Sequence, residues 1–389
     1  MNAVIVSACR TPIGNLLGSL SSLTAPELGA AAIREAILRA GVDPSELDEV
    51  ILGNVLQAGV GQAPARQAAL RAGVPPSVGA LTVNKVCGSG LKAVMLADQA
   101  IRAGDARLLI AGGMESMSNA PYLLPKARQG YRMGHGELLD AAVHDGLWEA
   151  HHDYHMGLTG EFCARAHGVS RERQDAYAAR SYERALAAQE AGAFAAELIP
   201  LQVKAGKKQL TVDRDEAPRA TSQDILAGLR PSFDAAGTIT AGNASKVSDG
   251  AAAVCVMSEA EAARRGIEPL ARIVATSTHS QEPERIMMAP EGAVRKCLQR
   301  AGWARADLYE LNEPFAVASV ALIDALELDP ERVNVHGGAI ALGHPIGATG
   351  CRILVTLLHA MARRGARTGL AALCLGGGEA VALAVERIG

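Results

Sequence analysis

The chain has 389 residues, which is long enough for two or three domains with sizeable hydrophobic cores. Apolar residues make up 49% and charged residues 20%, the balance of an ordinary globular protein. The net charge of −3 gives no overall attraction to nucleic acid or anionic membranes, so any anionic ligand must be held by local basic residues. Seven cysteines, an odd number with no C-x-x-C pair, argue against a disulfide framework or structural zinc, and for a reducing compartment such as the cytoplasm.

Strand-like and helix-like segments alternate along the chain. Residues 1–10 have no basic segment before their short apolar run, so they predict a first strand rather than a signal peptide. A helical pattern follows over residues 30–40 and a strand pattern over residues 50–52. The last apolar stretch, 369–385, is interrupted by three glycines and Glu379, which favours two buried strands around a turn over a membrane span. The alternation predicts an α/β protein with buried sheets.

A β-prone run in residues 81–92 stops at Cys87 and turns through Gly88 and Gly90 into a helical pattern. A cysteine at such a turn faces a helix N-terminus, whose unpaired N–H groups and dipole favour the thiolate. The same turn offers N–H groups for a developing oxyanion. We therefore expect Cys87 to be a nucleophile with a lowered thiol pKa, whereas a lone cysteine such as Cys163 is more typical of a core residue.

The chain also contains an internal repeat. Residues 32–41 (AIREAILRAG) recur as residues 293–302 (AVRKCLQRAG), at an offset of 261 residues. Near the same offset, the Ser-Gly pair at 89–90 recurs as the Thr-Gly pair at 349–350. A single matching helix can arise by chance, but a shared offset across several elements predicts a duplication.

We expect two similar α/β halves separated by an insertion. The first half comprises residues 1–118 and 244–267, and the second comprises residues 268–389. Residues 119–243 are rich in Arg, His, Gln and Glu and have no strong strand signals, so they predict an inserted domain of helices and loops. Matched halves place equivalent strand ends opposite one another, and a site at their junction can draw groups from both.

Three further segments, all in the second half, contain residues suited to catalysis. Residues 312–316 (NEPFA) follow an apolar strand pattern, residues 343–350 (GHPIGATG) open the second repeated helix, and residues 374–378 (CLGGG) end a strand. His344 thus precedes its helix much as Cys87 precedes the first one. This placement predicts that a thiol and an imidazole face a common cleft, as a nucleophile and its base require.

Together with residues 7–14, these segments resemble the thiolase family, the acetyl-CoA acetyltransferases and 3-ketoacyl-CoA thiolases, and the likeness runs along the whole chain. The resemblance implies a duplicated thiolase fold with a five-layered α/β/α/β/α core and a loop domain that covers coenzyme A. It also implies that Cys87 is acylated, that His344 activates it, and that Cys374 is the general acid and base. Acyl-CoA, acetyl-CoA above all, and CoA are then the substrates, no metal or redox cofactor is required, and the protein is a homodimer or homotetramer.

The resemblance further assigns two oxyanion holes. One uses His344 with a water held by Asn312, and the other uses the backbone N–H groups of Cys87 and Gly376. Each such donor can contribute about 3 kcal/mol to the transition state. Contacts to coenzyme A and the acyl group are implied for six side chains: Arg219 at a phosphate, Ser245 and His155 along the pantetheine, Leu229 at the adenine end, and Met156 and Phe315 beside them.

Other interpretations of single motifs are weaker. His151 and His155 have the i, i+4 spacing of a helical zinc pair, but the H-E-x-x-H carboxylate is missing. The loop at 343–350 has neither the P-loop nor the dinucleotide-binding pattern. A lysine run at 204–208 is more typical of a solvated loop than of a surface that steers coenzyme A.

The function we expect is that of an acetyl-CoA acetyltransferase, which forms or cleaves acetoacetyl-CoA by a ping-pong mechanism. A broader 3-ketoacyl-CoA thiolase of β-oxidation or aromatic-acid breakdown remains open, because Pro314 and the pair Glu379-Ala380 depart from the usual short-chain residues beside the acyl pocket. A decarboxylating condensing enzyme on the same fold would lack the second thiol, Cys374. A non-catalytic carrier of acyl-CoA or lipid would have lost the nucleophile or the base, and both are present.

Overall fold

The computed structural model describes residues 1–388. The strands in this part of the chain are β1 (Ala3–Arg10), β2 (Gly14–Asn15), β3 (Glu49–Gly53), β4 (Gly79–Val83), β5 (Leu108–Ser116), β6 (Tyr122–Leu123), β7 (Leu139–Asp140), β8 (Trp148–Glu149), β9 (Tyr154–His155), β10 (Leu201–Ala205), β11 (Lys208–Val212), β12 (Ser248–Ser258), β13 (Ala271–Ser280), β14 (Leu308–Leu311), β15 (Thr368–Leu375) and β16 (Glu379–Arg387). The α-helices are α1 (Ala25–Ala40), α2 (Pro64–Arg71), α3 (Ser89–Ala103), α4 (Ala141–His144), α5 (Met156–His167), α6 (Arg171–Glu190), α7 (Gln223–Ala227), α8 (Glu259–Arg265), α9 (Ala289–Ala301), α10 (Ala316–Ala325), α11 (Ala339–Leu342) and α12 (Ile346–Arg364). Across residues 1–388, every helix is too short or too polar to cross a membrane.

The predicted repeat is visible in the strand order of the central sheet, which runs β14-β15-β16-β13-β1-β12-β5-β3-β4. In the first half, β1, β12 and β5 are successively antiparallel, and β3 and β4 then continue parallel to β5. In the second half, β13, β16 and β15 are successively antiparallel, and β14 continues parallel to β15. The place of a fifth strand is taken by a single parallel bridge between Tyr309 and Val333. The duplicated α/β fold predicted from the sequence is confirmed.

The two halves of the sheet meet where β1 pairs with β13 over two residue pairs, Val4 with Arg272 and Ile5 with Ala271. Each half contains the same irregularity. The register of β1 against β12 shifts between Ile5 and Ser7, and that of β13 against β16 shifts between Ile273 and Ala275. Such a shift bends a strand and increases its twist, so both halves curve at equivalent points.

The side chains of the sheet alternate between separate cores. In β1, Val4 and Val6 pack into a cluster with α1 and α2, while Ala3 and Ile5 pack into a second cluster with α3 and α12. A third cluster lies on the far side of the second half, where α9 and α10 pack. Helices, sheet, helices, sheet and helices therefore follow one another as five layers, with α3 and α12 buried in the middle.

The two central helices approach closely at a pair of glycines. A Cβ atom added to Gly90 would lie 2.9 Å from the backbone nitrogen of Cys351, and one added to Gly350 would overlap the backbone of Leu91. Only glycine permits this approach. The contact places the N-terminal ends of α3 and α12 side by side, and these are the ends that follow Cys87 and His344.

The insertion is more regular than the sequence indicated. We predicted helices and loops without strong strand signals, but β10 and β11 form an antiparallel hairpin. The prediction was wrong because Leu201 and Val203 are buried alternately with exposed Gln202, a pattern too short to stand out. The lysines of the 204–208 run are exposed on this hairpin, as expected. The domain limits 1–118 with 244–267, 119–243 and 268–389 stay a prediction.

Candidate active site

The turn that carries Cys87, residues 84–88 (the nucleophile turn), is held in an unusual conformation. Val86 has φ of 46°, a left-handed conformation that β-branched residues rarely adopt. Side chains on both sides hold it there. The Ser89 hydroxyl accepts from the Lys85 N–H at 2.8 Å and donates to the Val86 carbonyl at 2.6 Å, and the Asn84 side chain accepts from the Val86 N–H at 3.0 Å. The strained turn presents Cys87 just before α3 begins.

Two backbone N–H groups near the Cys87 sulfur, its own and that of Gly376, act to lower the pKa of the thiol. These are the two donors that the resemblance predicted for one oxyanion hole. Burial outweighs them and raises the pKa of Cys87 to about 12. Our expectation of a lowered pKa was therefore wrong, because removal of the sulfur from water costs the thiolate more than the N–H groups return.

The second thiol lies beside the first. Cys374 is buried near the end of β15, and burial, followed by the neighbouring Cys87, raises the pKa of its thiol well above the usual range. The turn after β15, residues 376–378 (the glycine turn), packs against the nucleophile turn. A Cβ on Gly88 would overlap the Leu375 side chain, and one on Gly376 would lie 3.2 Å from Cγ1 of Val86. The two halves therefore bring both thiols to one place.

His344 lies in the loop between α11 and α12, and its orientation is fixed at both ends. Its backbone N–H donates to the Lys246 carbonyl at 3.0 Å, and Nδ1 lies 2.7 Å from the Thr349 hydroxyl oxygen. The Thr349 hydroxyl donates its hydrogen to the Pro345 carbonyl, so it accepts from Nδ1–H and leaves Nε2 with a free lone pair. Burial, with Arg352 as a second cause, lowers the pKa of His344 to about 3, which keeps the imidazole neutral.

A buried carboxylate joins the His344 loop to the first half. Glu115 accepts from the backbone N–H of Gly347 at 2.9 Å and from that of Val55 at 3.0 Å. Burial raises the pKa of Glu115 to about 7, although its hydrogen bonds act in the opposite direction. The Cys87 side chain packs against the apolar cluster that contains Ile346. The nucleophile turn and the start of α12 thus border the same interior region. Sequence reasoning missed Glu115, which no motif marks.

Asn312 lies directly after β14, where its backbone N–H donates to the Ala372 carbonyl of β15 at 3.0 Å. The residue is 4% exposed, and among residues 1–388 neither atom of its side-chain amide has a hydrogen-bond partner. A buried amide without partners usually holds a water or a ligand. The adjacent Glu313, which sequence reasoning did not single out, accepts from Tyr177 and Ser181, both at 2.8 Å, and fixes this segment against α6.

Three of the predicted coenzyme A contacts lie together. The His155 ring stacks on Phe233 at 4.7 Å between ring centroids, and Phe233 meets Phe315 edge-on at 6.0 Å. Nδ1 of His155 caps α5 by accepting from the Gly157 N–H at 3.0 Å, so α5 begins at Met156. His151 therefore precedes this helix, and the i, i+4 zinc spacing does not apply to the pair.

Ser245 lies between the two motif segments of the second half. Its backbone N–H donates to the Pro314 carbonyl at 2.9 Å. One residue earlier, Ala244 bridges to Phe315, and two residues later Val247 bridges to His344. This segment therefore links the predicted coenzyme A contacts to the catalytic histidine candidate.

Arg219 and Leu229 lie farther out along the insertion. The exposed Arg219 guanidinium is 5.7 Å from the centroid of the Tyr182 ring, whose centroid is also 4.6 Å from Nζ of Lys246. Leu229 packs near Gly242, where an added Cβ would lie 2.6 Å from the leucine Cδ1. The structure thus connects both residues to the Ser245 segment rather than to the thiols. Lys246, whose pKa burial lowers to about 7, was missed because a single lysine beside a serine gives no signal.

The duplicated fold and the two thiols that lie together at the junction of its halves define the class, a two-half α/β protein with a candidate thiol-based reactive centre. Comparison with known families agrees. The family profile described as thiolase, N-terminal domain, matches residues 3–260, and that described as thiolase, C-terminal domain, matches residues 267–387. The chain therefore belongs to the thiolase family.

Curated relatives match the chain along its full length. An acetyl-CoA acetyltransferase of Pseudomonas aeruginosa is 54% identical over 390 residues, which cover 99% of each chain. An acetyl-CoA acetyltransferase of Escherichia coli K12 is also 54% identical, over 391 residues that cover 100% of this chain and 99% of the relative. One from Cupriavidus necator is 52% identical over 390 residues, or 99% of each chain.

Proposed function

We propose that the protein is an acetyl-CoA acetyltransferase that joins two acetyl-CoA molecules into acetoacetyl-CoA and CoA, and catalyses the reverse reaction. The observation that carries this proposal is the packing of the glycine turn against the nucleophile turn, which brings Cys374 and the Gly376 N–H close to the Cys87 sulfur. The names of the full-length relatives support the choice of acetyl-CoA.

In the first half-reaction, the Cys87 sulfur attacks the acetyl carbonyl carbon and its proton passes to Nε2 of His344. Since the resting thiol and imidazole are both neutral, the proton moves as the carbon–sulfur bond forms rather than before it. The N–H groups of Cys87 and Gly376 stabilise the oxyanion. The tetrahedral intermediate collapses, CoA leaves as a thiolate that takes its proton from Cys374, and acetyl-Cys87 remains.

In the second half-reaction, the Cys374 thiolate removes an α-proton from a second acetyl-CoA. The enolate oxygen is stabilised by the Nε2–H of His344 and by a water on the Asn312 amide, whose atoms are buried without partners in the described chain. The α-carbon attacks acetyl-Cys87, acetoacetyl-CoA forms, and the released Cys87 sulfur recovers its proton from His344. Two thiols and one imidazole balance every proton, so the reaction needs neither a metal nor a redox cofactor.

Coenzyme A would lie along the connected segment described above. His155, Met156 and Phe315 would flank the pantetheine beside Ser245, with Leu229 toward the adenine and Arg219 at a phosphate. The half-buried position of Ser245 between Phe315 and His344 supports this direction of approach. We also propose a homodimer or homotetramer, as the resemblance to thiolases implies, and a location in the cytoplasm, in keeping with the free cysteines.

A second candidate is a 3-ketoacyl-CoA thiolase with a wider acyl range. Pro314 and the pair Glu379-Ala380 favour it, because both sites depart from the usual short-chain residues and flank the reacting groups. The test is a thiolysis series with free CoA, from acetoacetyl-CoA to longer 3-ketoacyl-CoA substrates. A kcat/KM highest for acetoacetyl-CoA supports the acetyltransferase, whereas one that rises with chain length supports the second candidate.

The proposed chemistry is tested by covalent labelling. Radiolabelled acetyl-CoA should label the protein at Cys87, and Cys87→Ser should abolish the label because a serine hydroxyl is far less nucleophilic here. Cys297→Ser, at a buried core cysteine of α9, is the matched control and should label normally. Normal labelling of Cys87→Ser would overturn the assignment of the nucleophile.

A further inference from the structure

An ion pair crosses between the two turns that hold the thiols. Lys85 is two residues before Cys87, and Glu379 is the first residue after the glycine turn. The Lys85 Nζ lies 2.5 Å from Oε2 of Glu379. The other carboxylate oxygen, Oε1, accepts from the Ser280 hydroxyl at 3.1 Å, which ties the pair to β13. Both side chains are partly exposed, 23% for the lysine and 34% for the glutamate.

Apart from the Gly376 N–H near the Cys87 sulfur, the neighbours across the two turns include apolar ones, Val86 next to Gly376 and Leu375 next to Gly88, which give little directional hold. On its other side, the glycine turn is held to the second half, where the Gly378 carbonyl accepts from the Gln281 N–H at 2.9 Å. The glycine turn has no side chains of its own to hold it, and Gly377 and Gly378 have φ of 85° and 81°. Glu379 is therefore the nearest following position from which a side chain can anchor this turn to the first half.

We propose that the Lys85–Glu379 ion pair is a clamp that positions the Gly376 N–H on the Cys87 sulfur and, during the reaction, on the thioester oxygen. Lys85 and Glu379 are positioning residues, since neither need touch the substrate. The inference rests on the proposed role of Cys87 as the nucleophile. A partly exposed ion pair adds little to global stability, so the clamp should act on the chemistry rather than on folding.

The direction of the effect separates a clamp from a direct charge effect. If the pair positions Gly376, then Glu379→Gln lets this N–H drift away from the sulfur and reduces the thiolate fraction of Cys87. If Lys85 acted on the sulfur only by its charge, removal of its partner would free that charge and increase the thiolate fraction. The same variant thus gives opposite results under the two explanations.

The readout is the rate at which iodoacetamide alkylates Cys87 at pH 8, followed by mass spectrometry of the Cys87 peptide. This rate is proportional to the thiolate fraction and does not require turnover. We expect Glu379→Gln to slow alkylation about threefold to tenfold and acylation by acetyl-CoA by about tenfold, with KM changed less than about twofold. Unchanged or faster alkylation would overturn the clamp.

Two further variants complete the test. The charge reversal, Lys85→Glu with Glu379→Lys, should restore most of the lost acylation rate, and a double variant no better than Glu379→Gln would overturn the clamp. The matched control is Glu386→Gln, which removes an ion pair with Arg367 at 2.9 Å at the far end of β16 and should leave both rates unchanged. If Glu379→Gln fails to fold, Glu379→Ser is measured instead, and the same slowing is expected because this variant also leaves Lys85 without its partner. Failure of wild-type Cys87 to become acetylated would instead overturn the proposed function.

Discussion

The starts of α3 and α12 are equivalent by the repeat, yet they present different chemistry. Both helices end at a left-handed glycine, Gly104 and Gly365, which are 261 residues apart. At its start, α3 follows a strained turn with Val86 in a left-handed conformation, and the cysteine there is only partly buried. The equivalent start of α12 is buried, and His344 is held by hydrogen bonds from both its backbone and its ring.

The difference shows how equivalent positions in a duplicated fold can hold different chemical groups. In the first half, the strained turn leaves Cys87 half-buried rather than enclosed, although the surrounding protein still removes enough water to raise the pKa of its thiol. In the second half, burial keeps the imidazole neutral and the Thr349 hydroxyl fixes its tautomer, so that Nε2 carries the lone pair. The start of α3 thus leaves the Cys87 thiol accessible, and the start of α12 fixes the orientation of the His344 ring.

Of the changes considered, removal of the His344 imidazole should slow catalysis the most. His344→Ala should slow acetylation of Cys87 about a thousandfold, because the neutral thiol then has no base positioned to receive its proton. Single-turnover labelling with acetyl-CoA measures this rate. His359→Gln, on the same helix, where the ring contacts the Ala8 carbonyl at 3.2 Å, is the control and should stay near the wild-type rate. A His344→Ala rate within tenfold of wild type would show that another group takes the proton.

Removal of the second thiol separates the two half-reactions. Cys374→Ala should still form acetyl-Cys87, within about tenfold of the wild-type rate, because CoA is a good leaving group even without its acid. Condensation should fall about a thousandfold, since no base then removes the α-proton. Exchange of labelled CoA into acetyl-CoA reports the first step, and formation of acetoacetyl-CoA reports the second. Equal losses in both assays would contradict the division of roles, and Cys163→Ala serves as the control thiol.

The pH dependence of Cys87 alkylation tests the difference in protonation between Cys87 and His344. With a Cys87 pKa of about 12, the thiolate fraction of the empty enzyme rises about tenfold for each pH unit between 6 and 9. Alkylation of Cys87 should rise in parallel without reaching a plateau. The His344 base, with a pKa of about 3, should remain neutral and active throughout this range. A plateau in alkylation below pH 8 would instead indicate a thiolate–imidazolium pair at rest.

The smallest expected effect concerns the strained residue. Val86→Gly removes the left-handed strain of about 1 kcal/mol but also makes the unfolded chain more flexible, so the free energy of unfolding should change by less than about 1 kcal/mol. Acylation should slow about threefold because the turn holds Cys87 less firmly. Chemical denaturation and single-turnover labelling measure the two quantities. A rate equal to wild type would mean that the strain has no part in placing the sulfur.

Much of the fold could be predicted from sequence because its signals are local. The repeated helices share a residue pattern and a terminal glycine, and the glycine turns after Cys87 and Cys374 mark strand ends at which functional groups collect. Protonation states could not be predicted, because burial of the sulfur and of His344 depends on packing between distant halves. The ion pairs of buried Arg10 with Glu197 at 2.6 Å and Asp215 at 2.7 Å likewise join segments 187 and 205 residues apart. Nothing in the local pattern of any of the three residues identifies its partners.

The glycine contact between α3 and α12 has an evolutionary consequence. Two separate, identical half-chains that associated through this contact would be related by a symmetry axis between the helices, and both helix starts would carry the same residue. A thiol at one helix start would then face an identical thiol at the other, so a thiol and an imidazole could not meet at this contact. Fusion of the halves into one polypeptide releases this constraint, because each helix start can then accept its own mutations while the shared glycine interface stays intact.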